Sequence, residues 1–498
     1  MRNARWGTTG VSGSRGRYER FNSMQLPSHR GRPARLDAAK GSSPQTIFRP
    51  SDRALATFNQ GQAWDYMEKF ANIPRYDEKL RPDGLLNLSG AMNCLMNDWM
   101  QDYVAKSQPV DDVYPSLTYG SRYGSKDLLA AAASFFNRFF NPYHTVLSDQ
   151  VLACNGVTSL LALCTWLICD PGDAVLYPTP NFYMLDYDLG SRGEVVTVPV
   201  STTSITDPFS EAGASQLVQL FDAAADKVES EQGRRCRILC ICNPANPQGR
   251  CYSPRSLQVL AAWCTRRGVH LVVDEVYAMS DFHAGLPHRG DRYDSFSSVL
   301  SIPSEAPPEN LHCLYSMSKD FDMGGLRLSF LVTRNALLRQ AATRVTWFTW
   351  ISAFPAAFMT RFLQQLDGVE DYLSLYRTRL ATAYHKAATA LSTASIPFEP
   401  ASAGLFIFVD LSRWLRFFPQ FGPQTPELEL CEWLIQGGVF LNPGQFAGSD
   451  KEGWFRLVFT EYPDVMELAV ERVRIALRKL EDKKRLHSTW QASWVLMQ

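Results

Sequence analysis

The stretch from Ser316 to Phe330, SMSKDFDMGGLRLSF, ends an apolar run with Ser-x-Ser-Lys and puts Arg327 eight residues beyond Lys319. The preceding LHCLY reads as a buried strand. A lysine carried to the end of such a strand needs a partner or a bond to form. Other residues able to do chemistry stand at comparable places. Asn246 lies in NPANPQG, and Asp274 and Tyr277 lie in VVDEVY. Val157 and Thr158 open a helix-like run after CNG, and Phe182 lies in PTPNFY. Each alone has an ordinary explanation: a turn for Asn246, a helix cap for Asp274, solvation for Lys319.

What must position them is an alternation of strands and helices over residues 111–335. A helix-length run, 158–169, is stopped by DPGD. AVLYPTP, EVVTVPV, CRILCICNP, VHLVVDEVY, LHCLYSM and LRLSFLVT read as strands. SQLVQLFDAAADKVES reads as a helix, as does SPRSLQVLAAWCTRRG, with Ser253 as its N-cap and Gly268 as its stop. Strands apolar on both faces, separated by helices, predict a mostly parallel sheet covered on both sides. Sites in such sheets lie beyond the carboxyl ends of the strands, where all of the residues above fall.

One cofactor needs the whole set. Pyridoxal 5'-phosphate takes an amine for a Schiff base, which Lys319 supplies, and a carboxylate, Asp274, that keeps the pyridine nitrogen protonated. Asn246 and Tyr277 suit donors to its ring hydroxyl oxygen. The amides and hydroxyl at Val157 and Thr158, at a helix start, suit its phosphate, with Ser316, Ser318 and the forked guanidinium of Arg327. Phe182 suits a ring stacked on the cofactor face. Lys319, Asp274 and Tyr277 are then the expected catalytic residues.

The bulk properties agree with a globular enzyme. Of 498 residues, 45% are apolar and 20% charged, so more than one domain is expected. Fifty basic residues balance fifty acidic ones, which points to neither a nucleic-acid nor a membrane partner. The eleven cysteines form no C-x-x-C pair, and most sit in apolar runs, as do Cys240 and Cys242; buried thiols in a reducing compartment are expected. Residues 1–45 are rich in Arg, Gly and Ser and are expected to be disordered. They lack a secretory apolar segment, so the expected location is cytoplasmic. Their arginine content leaves a mitochondrial presequence open, and Met24 remains an alternative start. The expected divisions are an arm contributing to a small domain (46–110), a large cofactor domain (111–335), a C-terminal small domain (336–480) and a loosely docked tail (481–498).

The ordered series PDGLLNLSGAMN, LTYGSRYGS, NGVTSL, DPGDAVLYPTP, NPANPQG, DEVY, SMSKD…GLR, AGLFIFVDL and GWFRLVF resembles the fold-type I, class I/II aminotransferases. Within them it is similar to the 1-aminocyclopropane-1-carboxylate (ACC) synthase-like branch, especially fungal members, from about Arg81 to Leu480. The resemblance implies a seven-stranded, mostly parallel sheet in a large domain with a smaller α/β domain. It also implies a homodimer in which an aromatic residue reaches the partner's phosphate site; Tyr119 and Tyr123 are both candidates. The Arg of GWFR, Arg456, is implied to bind the α-carboxylate of an amino-acid substrate.

Three departures bear on the reaction. Where ACC synthases carry Ala-Glu-Asn, this chain has Ala91-Met92-Asn93 at the substrate end of the pocket. The usual SKDxGxPGxRxG becomes a run with Asp322, Gly324 and Ser329, and Ser-Pro-Gly becomes Asn442-Pro443-Gly444. Methionine carries no charge and accepts no proton, so ACC formation ranks behind transamination and β-eliminating C–S cleavage, which stand nearly even, with a role in fungal secondary metabolism implied. Met92, Trp347, Phe348 and Trp350 point to a bulky or aromatic substrate. A non-catalytic protein of the same fold ranks last, because Lys319 is retained.

Overall fold

The computed structural model describes residues 51, 54, 62–106, 110, 113–286, 293–461 and 463–495, so the expectation for residues 1–45 lies outside the described residues. Residues 56–498 make one compact unit. Of residues 1–55, Ser51 and Ala54 are described, the Ala54 amide donating to Ser51 Oγ.

The main sheet holds seven strands: β1 (Val151–Cys154), β2 (Ala174–Thr179), β3 (Val196–Ser201), β4 (Cys236–Cys242), β5 (His270–Asp274), β6 (Leu311–Ser316) and β7 (Ser329–Thr333). Their order is β1-β7-β6-β5-β4-β2-β3, and β7 alone runs antiparallel to its neighbours. The two-faced apolar pattern sets this arrangement. Ile238 and Cys240 of β4 belong to one core cluster, whereas Leu239 and Ile241 belong to the other; β1 alternates likewise, Leu152 and Cys154 against Val151 and Ala153. Each fully buried aliphatic side chain contributes about 1.5–3 kcal/mol, so the sheet is held from both sides. Ten of the eleven cysteines are buried, as expected of thiols in apolar runs; Cys94 is half-buried.

The helices crossing the sheet begin and end on local signals. Helix α1 (Val157–Ile168) starts after Gly156. Helix α2 (Leu185–Gly193) packs against it. Helix α3 (Pro254–Arg267) has Ser253 accepting from the Ser256 amide and ends at Gly268, whose φ of 65° is open to glycine. Helix α4 (Met317–Asp320) is one turn.

A second, antiparallel sheet is made of β8 (Phe398–Glu399), β9 (Phe406–Asp410), β10 (Asn442–Pro443) and β11 (Trp454–Val458), in the order β10-β11-β9-β8. Arg456 sits mid-strand in β11, opposite Phe408 on one side and Asn442 on the other. The segment 86–87 pairs in parallel with 439–440, and the Val458 amide donates to Leu88 O at 3.0 Å. These contacts bring residues 89–93 beside β11. Within the segment expected as a tail, residues 481–495 continue one helix that runs Pro463–Val495. Strand β1 is absent from the expected strands because four residues, VLAC, show too short a pattern to stand out.

His270 and His312 lie on neighbouring strands with Nδ1 of the first 2.9 Å from Nε2 of the second, and His312 Nδ1 is 2.9 Å from Thr333 Oγ1. Burial lowers His312 to about 3 and His270 to about 4. An unfolded histidine takes up its proton near pH 6.5, so the buried pair weakens folding as pH falls below that value. Buried carboxyls such as Glu275 and Asp320, raised to about 7, act in the opposite sense. The difference in unfolding free energy between wild type and His312→Gln isolates the pair. It should shrink by up to about 2 kcal/mol between pH 6.5 and 5, at about 1.4 kcal/mol per pH unit and histidine. A difference that stays constant with pH, in denaturant titrations, would show that the pair is not held neutral.

Candidate active site

The lysine turn is built by serine. Ser316 Oγ accepts from the Ser318 amide at 3.2 Å, lies 2.8 Å from Ser318 Oγ and donates to Leu328 O at 3.0 Å. This fixes α4 at the end of β6 and aims Lys319 inward, where Nζ donates to Ala91 O at 2.8 Å. Burial, then the charge of Arg456, lowers the Lys319 amine to about 8, against opposing pulls from Asp322 and Asp274. A substantial neutral fraction near pH 7–8 follows.

Asp274 ends β5 and accepts from the Val276 amide at 3.2 Å. Burial raises its carboxyl to about 7, and Lys319 pulls it down. Next to it, a chain of hydrogen bonds links three expected residues. Arg456 Nη1 donates to Asn246 Oδ1 at 3.0 Å, and Asn246 Nδ2 donates to the Tyr277 hydroxyl at 3.4 Å. Arg456 Nη2 donates to Ser89 O at 2.5 Å, while Nε is buried without a partner. The guanidinium carbon lies 5.7 Å from the Tyr183 ring centre and 5.6 Å from that of Phe406. No carboxylate pairs with Arg456 among the described residues.

At the start of α1, Gly156 has φ +125°, and its amide donates to Ser329 Oγ at 3.1 Å. Arg327, itself left-handed with φ 52°, folds over it. A Cβ at position 156 would lie 2.0 Å from Arg327 Nη2. The first amides of a helix have no partner within it, which leaves those of Val157 and Thr158 without one inside α1. The Thr158 hydroxyl is diverted: it donates to Asp188 Oδ2 at 3.0 Å, and burial raises Asp188 to about 7. Phe182 is half-buried, edge-on to Tyr183 with ring centres 4.9 Å apart.

Residues 89–93 clasp the lysine turn. Asn93 Nδ2 donates to Lys319 O at 3.2 Å and to Asp320 O at 3.4 Å, and the Asn93 amide donates to Asp322 Oδ1 at 3.3 Å. Asp322 thus holds this loop, with φ 52° where the related pattern has glycine. The Met92 side chain is 54% exposed, and its carbonyl accepts from the Thr460 hydroxyl. Trp347 and Phe348, expected near the substrate, are exposed on a turn. The two tyrosines part company. Tyr119 is 94% exposed and lies 5.5 Å from Trp350, whereas Tyr123 packs against both core clusters and its carbonyl accepts from the Ala153 amide. Ser89, Tyr183 and Asp188 were not foreseen as parts of the site. Ser89 and Tyr183 lie within the quoted motifs PDGLLNLSGAMN and PTPNFY, but nothing in LDYDLG marks Asp188 as buried.

The family described as aminotransferase class I and II matches residues 87–473. The mouse protein "1-aminocyclopropane-1-carboxylate synthase-like protein 1" is 28% identical over 419 residues, covering 83% of this chain and 81% of its own. "1-Aminocyclopropane-1-carboxylate synthase 7" of Arabidopsis thaliana is 27% identical over 412 residues, covering 80% and 88%. Among solved structures, kynurenine aminotransferase of Pyrococcus horikoshii aligns with a TM-score of 0.66 at 15% identity, over 86% of this chain and 97% of that one. A double mutant of Thermus thermophilus aspartate aminotransferase aligns at 0.63 and 17%, over 86% and 97%. The fold is therefore that of the class I and II aminotransferases, an α/β architecture. The chain belongs to the pyridoxal phosphate-dependent class I and II aminotransferases, in the ACC synthase-like branch.

The residues present fit the cofactor. Gly156 leaves the space that a Cβ would fill beneath Arg327, and a helix start lies behind it. Asp274 is a buried carboxyl whose ionised form calls for a cation, as a pyridinium would provide. Gly156→Ala should weaken pyridoxal phosphate binding about tenfold or more, measured by equilibrium dialysis; unchanged affinity would remove Arg327 and α1 from the phosphate site. Asp322→Gly keeps the backbone unstrained and deletes the Asn93 contact, so thermal unfolding should show a net loss no larger than about 1 kcal/mol.

Proposed function

We propose that this chain is an aminotransferase acting at the Cα of an amino-acid substrate, working as a homodimer. The observation that carries the reading is the hydrogen-bonded series Arg456–Asn246–Tyr277 lying beside Asp274 and Lys319 at one sheet edge. In this reading Arg456 binds the α-carboxylate, which supplies the anion its buried guanidinium lacks. Lys319 would hold the cofactor through its amine and would move the Cα proton, with that amine already lowered to about 8. Ala91 O holds that amine in place. Asp274 would hold the ring nitrogen, Asn246 and Tyr277 the ring oxygen, and Phe182 would lie against the ring face. Val157, Thr158, Ser316, Ser318 and Arg327 would hold the phosphate, Thr158 through its amide. When bound, pyridoxal phosphate supplies the electron sink for a carbanion at Cα. Tyr119, exposed and projecting, is the better of the two tyrosines to reach a partner's phosphate site.

The reading separates from C–S lyase and ACC synthase chemistry by product. With a panel of amino acids and cysteine conjugates, keto acid should form, without thiol plus pyruvate. S-adenosylmethionine should give no ACC, because Met92 offers no carboxylate. Thiol plus pyruvate as the main products would make the chain a lyase.

Two substitutions test the roles. Lys319→Ala should abolish the absorbance band of lysine-bound cofactor and all turnover, and retained wild-type turnover would end the assignment. Arg456→Lys should raise KM roughly ten- to a hundredfold, from the loss of a charge-assisted fork of about 1.5–3 kcal/mol.

A further inference from the structure

A cavity of about 330 Å³ opens beside the lysine pocket. Tyr183 is the shared wall: it lines the cavity, and its ring stands 5.7 Å from the Arg456 guanidinium carbon. Phe182 and Phe446 add aromatic surface. Asp186 and Asp450, both exposed, also line it. One oxygen of each carboxylate is engaged. Asp186 Oδ1 accepts from the Thr197 hydroxyl and, at 3.5 Å, from the Tyr177 hydroxyl. Asp450 Oδ2 accepts from the Ser201 hydroxyl and, at 3.3 Å, from Thr203 Oγ1. The other two oxygens, Asp186 Oδ2 and Asp450 Oδ1, make no hydrogen bond to a described residue. No Lys, Arg or His lines the cavity among the described residues.

The space is therefore polarised. A buried guanidinium with an unpartnered Nε stands behind its Tyr183 wall, and two carboxylates with free acceptor capacity stand on its other sides. A molecule that matches carries an anion at one end, an apolar body against Tyr183 and Phe446, and a positive end. An amino acid held by its carboxylate at Arg456 has that form when its side chain ends in an amine. A side chain ending in a carboxylate would meet like charge.

We infer that this cavity is the subsite for the distal group of the substrate, and that it selects amino acids whose side chains end in a cationic amine over neutral or acidic ones of equal size. The inference rests on the reading of Arg456 as the α-carboxylate partner. Two partly solvated carboxylates acting on one ammonium should give a preference of about tenfold over the neutral analogue, diminished by salt.

The test uses the cofactor-loaded full-length protein and three amino acids of one shape: 4-(aminomethyl)phenylalanine, phenylalanine and 4-carboxyphenylalanine. Calorimetric titration gives Kd for each, and the absorbance of bound pyridoxal phosphate is followed in parallel. The amine should bind about tenfold tighter than phenylalanine and the acid more weakly. The ratio of amine to phenylalanine should fall to about twofold in the double variant Asp186→Asn, Asp450→Asn and on raising salt to about 0.5 M. Equal Kd values across the three in wild type, a preference that survives the double variant, or no binding of any of them would overturn the inference. Circular dichroism and cofactor content check that the double variant folds, and each single variant gives a second route. If the calorimetric preference holds while the cofactor absorbance never responds, the subsite stands and the aminotransferase reading falls. A normal absorbance response without preference gives the reverse.

Discussion

A guanidinium withdrawn from water loses several kcal/mol of solvation that its surroundings must offset, and Arg456 is withdrawn almost fully, at 5% exposure. Three distant parts of the chain meet it: the carbonyl of Ser89, the amide of Asn246 after β4, and the ring faces of Tyr183 and Phe406. Its place mid-strand in an antiparallel sheet gives it a rigid root. None of these partners carries a full negative charge, so the cation remains uncompensated within the described protein. That imbalance reaches Lys319, whose amine is lowered by burial first and by Arg456 second. The lowered basicity of the lysine and the uncompensated charge of Arg456 therefore come from one electrostatic arrangement.

The second constraint is mechanical. Residues 89–93 are tied to β11 through Leu88 and to the lysine turn through Asn93, and they offer carbonyls to both Arg456 and Lys319. One short loop thus sets the separation between the lysine and the arginine. Rigid positioning of this kind is what lets a small set of groups act on a single carbon.

The parts of this arrangement differ in how openly the chain declares them. Strands buried on both faces are written as unbroken apolar runs, so β2 and β4 to β7, and the residues that follow them, are visible in sequence. The solvated edge strand β3 was visible from its valines. β1 escapes because four residues carry too little periodicity, and the helix to Val495 because nothing in STWQASWVLMQ announces continuation. Among the residues expected to face the cofactor, Val157, Asp274 and Ser316 were legible since each closes a strand or opens a helix. The substrate side was less so. Whether Tyr119 projects or Tyr123 packs depends on tertiary neighbours, and the Thr158 hydroxyl turns to Asp188 through a contact thirty residues away. Asp322 was visible only as a departure from the usual SKDxGxPGxRxG run. Its contact with the Asn93 amide arises between segments 229 residues apart, a distance over which local pattern says nothing.

Asp322 also carries a meaning for how this chain can drift. Its backbone sits in the left-handed region, where glycine is at ease and aspartate is one of the few tolerated alternatives. Aspartate and glycine codons differ by a single base, so the form found in the related pattern is one transition away, with no steric obstacle on the path. The turn itself does not require the carboxylate. What a reversion would surrender is the tether to Asn93, and with it part of the fixed spacing between the two charged ends of the pocket. Alanine or valine would keep neither the tether nor a comfortable backbone. The position is thus a narrow locus: a clasped pocket with aspartate or with asparagine, whose side-chain oxygen also accepts a hydrogen bond, and an unclasped one with glycine.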